Sequence, residues 1–168
     1  MPEQETIRRA KRDLKEGKSP STAAGKFVHE EIEHVREGKH GARSPQQVVA
    51  IGLSEARRAG IPLPPPKRDR TKEGTRKSAE HDYEGGQAEK QYAPSASASG
   101  ARQAVLEREP RTTASHSALS KQSREASHRR THAERQEAAE KAVKSKGKSG
   151  LRSAALKAAK THAAHRAT

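Results

Sequence analysis

The 168-residue sequence contains no cysteine and no tryptophan, and its aromatic residues are one phenylalanine and two tyrosines. Without cysteine the chain has no disulfide, no thiolate metal site and no thiol nucleophile, which excludes a disulfide-stabilised secreted scaffold. No stretch is apolar and long enough to span a bilayer, and the N-terminus lacks the apolar segment of a signal peptide. We therefore expect a cytoplasmic protein that contacts no membrane, located at the nucleoid if it binds DNA.

Large apolar side chains are scarce after the first third of the chain. Apolar residues make up 29% of the sequence, and much of this share is alanine, which favours helix but adds little to a core. The large aliphatic residues after position 66 are Val105, Leu106, Leu119, Val143, Leu151 and Leu156. This distribution predicts an all-α fold with a small helical module over residues 5–62. A Pro/Gly/Ser-rich linker over 63–100 and a largely disordered, helix-prone basic tail over 101–168 are expected to follow.

Three helices are predicted in the module from their start and stop signals. The first covers residues 5–16. The second covers 19–38 and the third 44–60, because a Ser-Pro pair favours helix initiation and a glycine favours termination. Gln47, three residues after the serine, completes a capping box at the start of the third helix. Gly52 lies inside that helix and indicates a close crossing with another helix.

The second helix contains a segment rich in histidine and glutamate, residues 29–34. His29 and His34 are five residues apart and would point about 140° from each other on a helix, whereas zinc-protease motifs use a spacing of four. The segment is therefore interpreted as a polar helix face with local side-chain pairs. The charged residues expected mostly on the exposed face are Glu30, Glu31, Glu33, Arg36 and Glu37. We expect no metal and no other cofactor.

Positive charge is concentrated in the last third of the chain. The net charge is +14, and residues 101–168 carry 16 basic and 6 acidic side chains, against 12 and 9 in residues 1–66. Lysines and arginines on such a tail neutralise phosphates and release counterions without reading bases. No aromatic residue follows Tyr92, so the tail offers no stacking platform for single-stranded bases. The predicted nucleic-acid-binding residues are Lys121, Arg124, Arg129, Arg130, Arg135, Lys141, Lys144, Lys146, Lys148, Arg152, Lys157 and Lys160.

A second set of basic residues lies in the module. Arg36, Lys39 and Arg43 surround the turn before the third helix, whose free N–H groups favour binding of one phosphate. Arg57 and Arg58 lie near the end of that helix, where they either complement the helix dipole or contact phosphate. These five residues are the additional candidates for phosphate contact.

The sequence KFVHEEIEHVREGKHG, together with ARSPQQVVAIGLSEARRAGIPLPPP, resembles a family of small basic bacterial proteins of unknown function. Some members of that family carry the label of plasmid stabilisation protein. The resemblance covers about residues 5–66 and extends to the tail only in its Lys/Ala-rich composition. It implies a bacterial origin and a role other than catalysis. The matching residues are Gly38, Lys39, Ala50, Ile51, Leu53, Ser54, Glu55, Ala56, Arg57 and Gly60; Val48-Val49 replaces a more alanine-rich pair.

These properties predict an accessory protein that binds nucleic acid through charge and without sequence preference, as histone-like proteins do. DNA is favoured over RNA as the partner, and the third helix is a candidate homo-oligomer contact. No nucleophile, phosphate-loop or dinucleotide-binding motif is present, so we expect no enzyme activity and no catalytic residue. Two alternatives remain: a stress-protective hydrophilic protein without a specific ligand, and an adaptor that binds a protein through an exposed apolar face of the third helix.

Overall fold

The second and third helices begin at the Ser-Pro pairs that mark them in the sequence, whereas the first has no side-chain cap at its start. The computed structural model describes residues 2–88 and 96–166, and contains α1 (Gln4–Lys15), α2 (Pro20–Glu37) and α3 (Pro45–Arg58). The Ser19 and Ser44 hydroxyls accept hydrogen bonds from backbone N–H groups at 3.3 and 3.2 Å, which caps α2 and α3. Gly38 ends α2 in the left-handed conformation, with φ of 81°.

The core between these helices is built mainly from small side chains. One buried cluster contains Phe27 of α2, Ile61 after α3, and alanines from all three helices. Gly52 of α3 lies against the backbone of α2, where a Cβ atom would be only 2.7 Å from the Val28 Cα. The predicted close crossing at Gly52 is therefore confirmed, and it lets α2 and α3 pack backbone to backbone.

A fourth helix, α4 (Glu73–Gln87), packs on α3 within the segment expected to be a linker. The Ser54 hydroxyl donates a hydrogen bond to the Asp82 carboxylate, and the Gln87 side chain donates to the Gly60 carbonyl at 3.3 Å. Gly86 lies where a side chain would collide with the Arg57 carbonyl. The part of the predicted linker at residues 89–95, including Tyr92, lies outside the described residues.

The chain then returns to the loop that joins α2 to α3. In the last turn of α5 (Ala96–Glu107), the Leu106 carbonyl accepts a hydrogen bond from the Gly41 N–H at 2.8 Å, and after this helix the Pro110 carbonyl accepts from the Ala42 N–H at 3.1 Å. A 3₁₀ turn at Thr112–Ala114 places Ala114, which is fully buried, in a second cluster with Val35, Ala42 and Val48. This part of the basic tail therefore completes the core.

The helix α6 (His116–His128) follows, and the chain divides into two units, residues 1–122 and 123–168. In the second unit, α7 (His132–Arg166) begins with a reciprocal capping box, because the Thr131 N–H donates to Glu134 at 2.9 Å and the Glu134 N–H donates to Thr131 at 3.3 Å. Gly147 breaks the helix with φ of 66°. Among the described side chains of this unit, none is buried.

The predicted all-helical class is confirmed. The more detailed expectation, a module of three helices followed by a largely disordered tail, is wrong. Helices run along most of the described chain, since alanine-rich segments and a capping box favour helix through local hydrogen bonds without requiring a core. The scarcity of large apolar residues predicts how little the second unit buries, but not whether it is helical.

Replacing Gly52 by alanine tests the close crossing of α2 and α3. We expect Gly52→Ala to lower the free energy of unfolding by about 1–3 kcal/mol, because the backbone of Val28 cannot yield to the added methyl group. The matched control is Gly25→Ala in α2, where no atom lies within 4 Å of the added Cβ. This control should gain about 0.5–1 kcal/mol from helix propensity. Denaturant unfolding of both variants measures the difference, and equal effects would contradict the crossing.

Replacing Ala114 by aspartate tests whether the returning segment belongs to the core. Ala114→Asp places an unpaired carboxylate among buried apolar side chains, so we expect a lower melting temperature and loss of hydrogen-exchange protection at the Gly41 and Ala42 amides. The control, Ala104→Asp, introduces the same charge at an exposed position of α5. It should leave these amides protected.

Candidate nucleic-acid interface

The cations predicted to bind nucleic acid in the tail are all exposed. This holds for Lys121 in the first unit and for the eleven others that follow it. Among the described residues, Arg129 alone of the twelve has a carboxylate partner, with 3.8 Å between its guanidinium and the Glu125 carboxylate. Their charges are therefore available to an external polyanion.

The cations of the second unit point in several directions around their helices. At 100° per residue, Arg135, Lys141 and Lys144 are separated by about 60° to 180° around the axis of α7. No acidic residue follows Glu140, so residues 141–168 carry eight lysines and arginines and no aspartate or glutamate. This arrangement is typical of a surface that neutralises phosphates from many orientations, and it provides no single face for reading one groove.

The basic residues around the start of α3 are paired within the fold. The Arg36 guanidinium donates to the Ala114 carbonyl at 3.0 Å and to the Glu33 carboxylate at 2.9 Å. The other two cations contact carboxylates, Lys39 with Glu37 and Glu3 at 3.2 and 3.7 Å, and Arg43 with Glu109 at 3.4 Å. The structure does not bring the three cations together around one phosphate-sized position at the helix start, which Ser44 already caps.

Arg57 has its hydrogen bonds inside the fold. Its buried guanidinium donates to three backbone carbonyls, those of Leu53, Leu63 and Pro64, at 3.4, 3.2 and 3.5 Å. Burial lowers the pKa of this group from its ordinary value. Arg58 lies 3.9 Å from the Asp82 carboxylate of α4. Both arginines therefore hold segments of this protein against α3, and we expect them to contribute little to phosphate binding.

The charged segment of α2 is only partly exposed, which corrects the sequence-based interpretation. His29 is exposed, but Glu30 and Glu31 are buried, because α1 and α3 both pack against α2. Burial raises the pKa of Glu31 to about 7 and also raises the pKa of Glu55 on α3. His34 and His40 both face Glu31. The spacing along one helix could not reveal this cluster, because His40 reaches it only after the chain reverses at Gly38.

No protein-family model matches the chain, and no curated protein or solved structure is significantly similar to it. The resemblance to a family of small basic bacterial proteins therefore stays a prediction. No helix in the described part of the chain has both the length and the apolar character that a bilayer span requires.

Replacing Arg57 by lysine tests whether this residue supports the fold or contacts phosphate. Arg57→Lys loses the planar fork that reaches three carbonyls, so we expect a loss of about 1–3 kcal/mol in the free energy of unfolding, with unchanged affinity for duplex DNA. Arg43→Lys is the control, because the Arg43 side chain is 75% exposed. It should change stability by less than about 0.5 kcal/mol. A selective loss of DNA affinity in Arg57→Lys would instead make Arg57 a phosphate contact.

Proposed function

We propose that this protein binds nucleic acid through charge and without sequence preference, with duplex DNA as the favoured partner. The observation that carries the proposal is the uninterrupted basic stretch over residues 141–168, whose described lysines and arginines are all exposed. The first unit folds around α2 and α3 and keeps much of its charge in internal ion pairs. We infer that the second unit supplies most of the binding free energy.

The balance of charge favours this function over that of a stress-protective hydrophilic protein. Residues 123–168 carry 12 basic and 4 acidic side chains, whereas a chain that acts only by staying hydrated would be expected to mix both signs near neutrality. A local excess of +8 on an extended helical segment attracts counterions that a polyanion can displace. Release of those counterions is the main driving force that we assign to binding.

The packing of α3 argues against the adaptor alternative and against an oligomer formed through α3. Both require an exposed apolar face on this helix, but Val48 and Ala56 are buried beneath neighbouring elements of the same chain. The large apolar residues exposed in the described ranges are Val105, Val143 and Leu156, none of which belongs to α3. On α3, Val49 and Ile51 are partly buried, so the helix offers little apolar surface to either alternative.

Neutralising four lysines in the basic stretch tests the proposal. We expect Lys141, Lys144, Lys146 and Lys148, all changed to glutamine, to weaken duplex-DNA binding and to reduce the slope of log K against log salt by about 3.6, because each of four lost phosphate contacts removes about 0.9. A wild-type protein that contacts about six phosphates would have a slope near −5. Fluorescence anisotropy across a salt series, with two unrelated duplex sequences, measures both slope and sequence preference.

The matched control removes the same charge from the first unit. Lys11, Lys15, Lys67 and Lys77 are exposed and have no ion-pair partner among the described residues. Changing these four to glutamine should leave affinity and slope close to the wild-type values. An equal loss in both variants would show that net charge alone governs binding, and a preferred sequence with a shallow salt slope would show that the first unit reads bases.

A further inference from the structure

A buried carboxylate without a hydrogen-bond partner lies near the end of α2. The Glu31 side chain is only 3% exposed, and its Oε1 atom accepts no hydrogen bond. An unpaired buried carboxylate costs several kcal/mol unless a cation or a proton compensates its charge. The Glu31 oxygens therefore require a cation or a proton, and the side chains of His34 and His40 face them at 3.9 and 3.4 Å.

The proton of His40 is fixed on the side of the ring away from Glu31. The His40 Nδ1 lies 3.0 Å from the Gly41 carbonyl, which can only accept, so Nδ1 carries the hydrogen. In the neutral ring, Nε2 is then a bare lone pair, and it lies 3.4 Å from Oε1 of Glu31. Two electron-rich atoms that face each other inside a protein need a proton or a metal cation between them.

His34 approaches the same carboxylate with its other nitrogen. The His34 Nε2 faces two carboxylates, Glu30 at 3.7 Å and Glu3 at 3.8 Å, which favours the hydrogen on Nε2. The Nδ1 atom is left bare and lies 3.9 Å from Oε2 of Glu31. Histidines that bind metals almost always donate their second ring N–H to a carboxylate or a carbonyl. His40 has such an acceptor at 3.0 Å, and the Glu30 carboxylate lies 3.7 Å from the second ring nitrogen of His34.

We propose that Glu31, His34 and His40 form a binding site for a divalent transition-metal ion of the zinc type. Their three donor atoms all lie within 4.8 Å of one another. Donor atoms around a tetrahedral zinc ion are about 3.3 Å apart, as follows from bond lengths of 2.0–2.1 Å, so a small contraction brings the cluster to that geometry. Two imidazole nitrogens with one carboxylate favour zinc over magnesium or calcium, which prefer oxygen ligands.

The cluster is exposed enough for an ion to enter. The fourth coordination position of the bound ion would stay open to water. Both rings are slightly exposed, His34 by 16% and His40 by 17%. His34 also lines a groove of about 430 Å³ between α1 and α2, together with Glu3 and Glu30. The groove is lined by side chains of both charges, with Arg9, Lys26 and Lys39 beside the glutamates. The site would join the end of α2 to the loop before α3, and the ion is therefore expected to stabilise the first unit.

Zinc titration of the full-length, chelator-treated protein tests the proposal. We expect zinc to raise the melting temperature, and isothermal titration calorimetry to show one tight equivalent per chain. Magnesium and calcium should leave the melting temperature unchanged. His40→Ala should weaken the affinity for zinc by more than about tenfold, because a direct ligand matters more than its supporting groups. The matched control, His29→Ala, removes an exposed histidine of the same helix and should bind zinc as the wild type does.

A second variant tests the site even if His40→Ala fails to fold. Glu31→Gln keeps the shape of the side chain and removes the buried charge, so the metal-free variant should melt at or above the temperature of the metal-free wild type. It should also lose the stabilisation by zinc. The proposal is overturned if zinc fails to stabilise the wild type, or if it stabilises Glu31→Gln and His40→Ala as much as the wild type, which would place any bound zinc on other histidines.

Discussion

The close approach of helix backbones is the constraint on which the rest of this fold depends. The chain has few large apolar side chains, so its buried clusters rely on alanine and on four larger residues, Phe27, Ile61, Val35 and Val48. Small side chains bury enough surface only if the helices come close together. Gly52 permits this contact between α2 and α3. Gly86 permits it where α4 meets the core, and Gly41 permits it where the returning segment does. Each of these contacts would be lost with a larger residue.

The shortage of large apolar side chains also explains why the protein divides its charge between two units. A core of this kind cannot tolerate many unpaired charges, and in the first unit the basic residues near α3 contact carboxylates or carbonyls. The second unit buries no described side chain, so repulsion among its lysines and arginines is weakened by solvent and salt. Charge that would destabilise the core is thus tolerated on the exposed helices, where a polyanion can reach it.

The Glu31 cluster is the exception to this separation of charge. Glu30 and Glu31 are buried close to two histidines, together with a partly buried Glu55 that also feels the charge of Arg58. Burying several carboxylates in a small domain lowers its stability unless a cation compensates them. A bound metal ion would turn this cost into a stabilising contact, in the part of the molecule where the loop after α2 must be held against α3.

The sequence alone determined the helical class, the boundaries of α1 to α3 and the location of the basic stretch. These follow from local chemistry: Ser-Pro pairs and Gly38 act through hydrogen bonds and dihedral angles within a few residues of themselves. Exposure of the tail lysines could also be predicted, because no apolar residues are available nearby to cover them. The crossing at Gly52 was predictable for a similar reason, since glycine inside a helix usually has a packing cause.

Only the tertiary structure decided which distant segments complete the core and which charges are buried. The packing of Ala114 against Val35 joins residues 79 positions apart, and alanine carries no pattern that identifies its partner. Glu31 lies in a polar segment that favours an exposed face, yet it is buried on a helix against which both α1 and α3 pack. His40 reaches Glu31 only because Gly38 reverses the chain. Periodicity records one apolar face of a helix, whereas burial depends on every element that packs around it.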